Sequence, residues 1–319
     1  MCARHLSVHN RLETVPDHAA ADQLVDAISG IRPWSRGHER APHKPLLLLL
    51  ALGRIQRGES RELLYAEIDE PLRGLLEKYG PTRSSYHPEY PFWYLQNDGV
   101  WHVAEAASFN KKQGGRSPAK STLLKGGGRG GLVPRFDRIL RDDPALLNRV
   151  AQLLLDAHFP PTYHDAILAD VGLSPIVDRE TIVRRRRDPR FPSLVLRAYE
   201  YRCALCGLDM QMDGRSVGLE AAHVWWHTHA GPSDVANGLA LCALHHRTLD
   251  MGAWGLTDER QVIVTRRLHG GPSVHDALLR YHGTRLRPPQ AGEPEVAPRN
   301  AHWHRSEVFR DPPRPFEVL

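Results

Sequence analysis

The period of the apolar positions changes several times along the chain, and each change marks an element. In residues 17–30, Leu24, Val25 and Ile28 recur at helical spacing between a capping Asp17 and a terminating Gly30, which predicts a helix. From Leu46 to Ile55 almost every position is apolar, as expected of a core helix. Residues 62–78 predict another amphipathic helix, broken near Pro71. The pattern then turns aromatic, with Tyr86, Tyr90, Phe92, Trp93, Tyr94 and Trp101 around Asn97-Asp98-Gly99, a turn signal that predicts a hairpin. Residues 110–131 hold six basic residues and seven glycines, so no packed element is expected there. Helical period returns over 144–158 and stops at the paired Pro160 and Pro161. Further on, a short helix over 194–202, a hairpin over 254–268 and a mostly irregular Pro-rich tail are expected.

These changes divide the chain into a first domain over 1–165, a basic linker over 166–190, a second domain over 191–285 and the tail over 286–319, an α+β architecture. With 41% hydrophobic and 25% charged residues in 319, the composition is that of a soluble globular protein. The N-terminus lacks the apolar run of a signal peptide, and the longest apolar run, Leu46 to Leu52, is far shorter than the ~20 residues of a spanning helix, so a cytoplasmic protein without membrane contact is expected. A net charge of +5 leans towards an anionic partner. The basic groups are clustered. Arg32, Arg36, His38, Arg40, His43 and Lys44 gather before the core helix, whose N-terminus favours phosphate, although a solvated basic loop accounts for them equally. Arg184, Arg185, Arg186, Arg187 and Arg190 form a second run, which suits a solvated linker face or a strap on a phosphate backbone.

Three of the four cysteines fall between Tyr201 and Asp250, which points to metal binding in a reducing compartment rather than to a disulfide framework. Cys203 and Cys206 form one C-x2-C knuckle and Cys242 and His245 form a C-x2-H knuckle; together they supply the four tetrahedral ligands of a closed, structural Zn²⁺ site. Cys2 is expected to be an idle thiol.

That allocation leaves His223, Asn237 and His246 free, fourteen and nine residues apart. In their context, LEAAHVWWHTHAGPSDVANGLALCALHHRTLDMGAWGL, they resemble the HNH nucleases, over a stretch from Phe191 to about Val264. The resemblance implies a ββα-metal unit, two strands and a helix around one divalent cation, Mg²⁺ or Mn²⁺, that hydrolyses phosphodiester bonds. Such hydrolysis needs a base to activate water and a cation to hold the scissile phosphate. His223 is then the general base, Asn237 pins the loop that orients it, and His246 ligates the cation. Asp250, one turn after His246 on the same helix face, is the second ligand expected. His245, about 100° round the helix, points to zinc instead. Many HNH enzymes carry a further metal ligand just before the base. Here that position is Ala222, which leaves coordination to His246, Asp250 and phosphate, or to Glu220. His227 and His229 are expected to be surface or DNA-facing.

The first domain, with RAPHKPLLLLL, YHPEYPFWYL, DGVW, the basic glycine-rich segment and DAHFP in that order, resembles the sulfur-binding domains joined to HNH units in type IV restriction enzymes. The resemblance implies recognition of phosphorothioate-modified double-stranded DNA. Sulfur is larger and less hydrated than oxygen, so an apolar cup of Tyr90 and Pro91, with Tyr94, would favour it. His43, Lys44 and Arg116 would hold the phosphate and base edges, helped by Ser117 and Lys120, with Lys44 standing where the family pattern can carry Arg. The expectation is a phosphorothioate-dependent endonuclease acting as a homodimer. Two alternatives stay open on the residues alone: a nuclease reading another modification or a sequence, and a non-catalytic, zinc-stabilised DNA-binding protein.

Overall fold

The computed structural model describes residues 18–31, 41–109, 116–174 and 190–316, and shows the expected α+β architecture. Cys2, Arg185 and Arg186 lie outside the described residues, as do Arg32, Arg36, Arg40 and part of the glycine-rich segment. The first half comprises α1 (His18–Ser29), α2 (His43–Gln56), β1 (Leu63–Leu64), α3 (Tyr65–Tyr79), α4 (Glu89–Tyr94), β2 (Trp101–Val103), α5 (Lys120–Lys125), β3 (Arg129–Leu132), α6 (Pro134–Asp142), α7 (Pro144–His158) and α8 (Pro161–Val171). Its axis is α2. Every residue from Leu46 to Leu52 is buried, which is possible only where neighbours cover the helix on all sides, and α3, α4, α6, α7 and α8 do so. Ile167, Val171 and Leu173 belong to this core, so it continues past residue 165, through the whole of α8.

Three expectations for this half are corrected. Pro71 does not break α3; the helix runs through it, and the backbone bond it omits would go to the carbonyl of Glu67, with both residues on the exposed side of the helix. The aromatic stretch is not a hairpin. Pro88 and Pro91 stand where α4 starts and its first N–H groups have no intrahelical partner, so the prolines set helical φ without losing a bond. Gly99, at φ +72°, then ends a 3₁₀ turn over Leu95–Asp98 rather than turning a hairpin. Finally, the described part of the glycine-rich segment, from residue 116 on, is packed. β3 is the central strand of an antiparallel sheet ordered β1-β3-β2, with Val103 opposite Gly130 and Trp101 opposite Leu132. A Cβ on Gly130 would lie 2.9 Å from Trp101 Nε1 and 3.0 Å from the His102 carbonyl, and one on Gly131 would overlap the Arg61 carbonyl. Glycine is needed here for close approach, not for flexibility.

The second half contains α9 (Phe191–Ala198), β4 (Gln211–Met212), β5 (Arg215–Ser216), β6 (Leu219–His223), β7 (Gly238–Cys242), α10 (Ala243–Asp250), β8 (Trp254–Leu256), β9 (Val262–Val264), α11 (Pro272–Ala277) and α12 (Pro298–Glu307). β6 pairs antiparallel with β7 from Leu219–Cys242 to His223–Gly238, and α10 follows β7 without a loop, which gives the ββα order. A second core forms around Val195, Ala222, Leu239, Leu241, Leu249, Trp254 and Val264. β8 and β9 form the expected hairpin.

The tail is mostly irregular, as expected, but it contains one helix, α12, and is packed. Pro298 opens α12 at a first-turn position, and Trp303 and Val308 join the first core, as does Trp226 of the loop between β6 and β7. Glu307 pairs with Arg83 at 3.3 Å, and Arg310 donates to the carbonyls of Glu77, Lys78 and Gly80 at the C-terminus of α3. Exposed carbonyls at a helix end favour such a cation.

Candidate nuclease and DNA-recognition sites

The two knuckles meet beneath β7. Cys203 and Cys206 lie in the turn after α9, where the Gly207 N–H donates to the Cys203 carbonyl and the Ala204 N–H to Ala240 of β7, both at 2.8 Å. Cys242 ends β7 and His245 lies in the first turn of α10. The ligand atoms of these four residues all lie within 4.8 Å of one another. His245 Nδ1 faces Cys242 Sγ at 3.1 Å and Cys203 Sγ at 3.5 Å, while its Nε2 lies 2.7 Å from the Ala277 carbonyl, so Nε2–H donates there and Nδ1 is left as the ligand. The neighbouring Cys206 and Cys242 thiols draw the Cys203 thiol down, and Cys203 in turn pushes Cys206 up, since adjacent sulfurs cannot all ionise without a cation. Burial lowers the His245 pKa, but the Cys203 and Cys206 sulfurs outweigh it and raise it to about 10. Three sulfurs and an imidazole in this arrangement fit a tetrahedral divalent ion and could form a zinc site.

Beside that cluster the second set converges on the ends of β6 and α10. His223 is the last residue of β6; its ring stacks on Phe191, with centroids 3.8 Å apart and planes at 14°, and its Nε2 lies 3.2 Å from the Ser233 hydroxyl. Asn237 is fully buried. Its Oδ1 accepts from the Trp225 N–H, and its Nδ2 donates to the Trp225 and Pro232 carbonyls, all at 2.8 Å, which closes the loop after His223 upon itself. On α10, His246 Nδ1 meets Glu220 Oε2 at 2.5 Å and Nε2 meets Asp250 Oδ2 at 3.4 Å. Glu220, held below the usual carboxylate range by its hydrogen bond from His246, therefore takes Nδ1–H and leaves Nε2 turned towards Asp250. His229 is half-buried and packs against Trp226 and Trp303.

In the first half, Tyr90 is exposed over a buried Pro91, with the Tyr94 ring 6.2 Å away and His87 stacked on Tyr90 at 4.9 Å. His43 opens α2. Burial, with Arg83 and His87 nearby, pushes its pKa down to about 4, so it is a neutral hydrogen-bonding group near pH 7 and not a cation. Lys44 is paired with Asp98, and Lys120 with Asp69, each at 2.6 Å. Arg116 is exposed, its carbonyl accepting from Trp93 Nε1 at 3.1 Å, and Ser117 is buried next to it.

A family model for the ScoMcrA-like DNA sulfur-binding domain matches residues 21–176, and one for HNH endonuclease matches residues 203–257. Over these two stretches, each less than half of its length, the chain is similar to the two families. The sulfur-binding domain of ScoMcrA complexed with phosphorothioated DNA is 27% identical over 46% of this chain and 94% of that one, with a TM-score of 0.41. The sulfur-binding domain of SprMcrA complexed with phosphorothioated DNA is 25% identical over 48% of this chain and 94% of that one, with a TM-score of 0.40. The type IV phosphorothioation-dependent restriction endonuclease ScoMcrA is 27% identical over 46% of this chain but only 28% of its own length, with a TM-score of 0.40. No curated protein matches the chain. Among the described residues no helix is long and apolar enough to cross a membrane.

The HNH domain has neighbours at its site that spacing did not reveal. Thr162 Oγ1 donates to Asp250 Oδ2 at 2.7 Å, and the Tyr163 hydroxyl to the Asp250 carbonyl at 2.9 Å, both from α8 of the sulfur-binding domain. Phe191 and Ser233 against His223, and Asp98 against Lys44, are further contacts of this kind. Thr162 and Tyr163 stand outside the motifs read from the sequence, and each of these contacts is set by tertiary packing.

Proposed function

We propose that the chain is a type IV restriction endonuclease that binds phosphorothioate-modified double-stranded DNA through its sulfur-binding domain and hydrolyses phosphodiester bonds with its HNH domain. The observation that supports this most directly is the presence of both domains in one chain, with His246 and Asp250 side by side and the loop after His223 clamped by Asn237. His223 is the proton acceptor for the attacking water. Asn237 fixes the loop that His223 opens, with a buried amide whose hydrogen bonds all go to that loop. His246, through Nε2, and Asp250 hold a divalent cation, Mg²⁺ or Mn²⁺, which supplies charge neutralisation at the scissile phosphate and leaving oxygen. Glu220 orients the His246 ring from its other edge rather than serving as a ligand. Cys203, Cys206, Cys242 and His245 hold the structural Zn²⁺.

Selectivity for sulfur follows from the surface around Tyr90. An apolar cup of Tyr90, Pro91 and Tyr94 accepts a weakly hydrated sulfur and penalises a phosphate oxygen that must lose its water. His43, neutral, contributes a hydrogen bond without attracting every phosphate, and Arg116 supplies charge. Lys44 and Lys120, already paired with carboxylates, serve DNA only by exchanging those partners. Two strands require two active sites, so the proposal includes a homodimer on DNA, in the cytoplasm. Binding and cleavage of matched phosphorothioate and unmodified duplexes under Mg²⁺ and Mn²⁺ test it. Tight binding and cutting of the modified duplex alone are expected. Equal affinity for the two would remove the sulfur assignment, and unchanged cutting by His223→Ala would remove the catalytic one.

A further inference from the structure

The carboxylate of Asp250 is gripped by the other domain. Its side chain is 4% exposed, and Oδ2, the oxygen that faces His246 Nε2, is the same atom that accepts the hydrogen bond from Thr162. The backbone of Asp250 is gripped as well, by the Tyr163 hydroxyl on its carbonyl. Thr162 and Tyr163 lie in the first turn of α8, so a single short stretch of the sulfur-binding domain holds both parts of one nuclease residue. The Tyr163 ring also meets Trp226 edge-on at 5.7 Å and Tyr79 at 5.5 Å. Trp226 belongs to the loop that follows His223 and is clamped by Asn237, so this turn of α8 reaches both edges of the HNH site.

A carboxylate has several lone pairs and turns freely about its last bond unless something fixes it. A hydroxyl donor on one oxygen sets that rotation while leaving lone pairs for a cation, and partners of this kind orient a ligand and tune its basicity. From this geometry we infer that Thr162 is a positioning residue of the nuclease centre, contributed by the sulfur-binding domain, whose hydroxyl holds the Asp250 carboxylate in the orientation that binds the divalent cation beside His246. The inference rests on the proposal that Asp250 is a ligand of that cation. Its consequence is that the HNH site is complete only while the sulfur-binding domain is docked, so α8 ties the recognition half of the molecule to its cutting half.

The test uses the full chain in a His223→Ala background, which leaves the DNA uncut. Mn²⁺ affinity of the complex with a phosphorothioate duplex is read from the free Mn²⁺ signal in electron paramagnetic resonance, for Thr162→Val, Thr162→Ser and Asp250→Ala. Thr162→Val removes only the donor and is expected to weaken Mn²⁺ by about tenfold or more. Thr162→Ser restores the donor and is expected to bind Mn²⁺ as the parent does, and neither variant changes duplex affinity in chelator or zinc content. Parental Mn²⁺ affinity in Thr162→Val, with Asp250→Ala weakened, overturns the inference alone. Parental affinity in Asp250→Ala overturns the ligand assignment beneath it. Should Thr162→Val not fold, Thr162→Ala measured against Thr162→Ser decides by the same criterion.

Discussion

His43 shows how far a residue's chemistry depends on its neighbours. In the sequence it stands with Arg40 and Lys44 and reads as one more basic group before a helix. In the fold, burial and the nearby Arg83 and His87 lower its pKa from 6.5 to about 4. Between those two values the unfolded chain binds more protons than the folded one, so this group's contribution to stability is greatest above pH 6.5 and is lost as the pH falls towards 4. His43→Gln cannot protonate. Its urea midpoint is therefore expected to fall less than that of the parent between pH 7 and pH 5; equal losses in the two proteins would show that His43 does not titrate in this way. At the same scale, the four knuckle residues and the His223, Asn237 and His246 set were legible because their spacing is itself the signal. Thr162 was not, since its partner Asp250 is 88 residues away and neither a lone threonine nor a lone aspartate carries a period or a motif.

Elements were legible where burial followed a period. α1 and α7 repeat apolar positions on faces that the fold covers, α2 is apolar and covered on every side, and β8 and β9 are short apolar runs on either side of a polar turn. They were misread where Gly and Pro carry two meanings. Pro91 is compatible with a strand edge or a helix start, and only the packing of Phe92 and Trp93 into the first core selects the helix. The glycines of β3 suggest a flexible loop, yet the strand is central, and its backbone lies against Arg61, Trp101 and His102 so closely that a side chain has no room. Gly131→Ala would force the Arg61 carbonyl or the whole of β3 to move, and the expected cost is about 3 kcal/mol, read as a lower urea midpoint with an unchanged slope. A flexible loop would instead be slightly stabilised by the same change, because alanine restricts the unfolded chain. The sign of the shift therefore distinguishes a packed strand from a loop.

At the scale of the molecule, two cores are joined by a buried seam rather than by a tether. Trp226, Trp303 and Val308 from the second half are part of the first core, the Trp225 and Trp303 rings stack at 5.6 Å, and Arg310 caps α3. The Cys3His cluster belongs to the second core, where Cys203 and Cys242 pack with Leu241 and Leu249. Small domains that gather three sulfurs and an imidazole draw much of their folding free energy from the bound ion. Removing it is therefore expected to act first on β6, β7 and α10, which carry His223, Asn237, His246 and Asp250, and to spare α2, α4 and the surface around Tyr90. Treatment with a thiol-compatible zinc chelator, or Cys206→Ser, should release one equivalent of zinc and abolish cleavage, while phosphorothioate-duplex binding persists because the first core contains none of the four ligands. If binding disappears together with cleavage, the seam is strong enough that the two halves unfold as a single unit. Retained cleavage in zinc-free protein would show that the cluster does not support the nuclease fold.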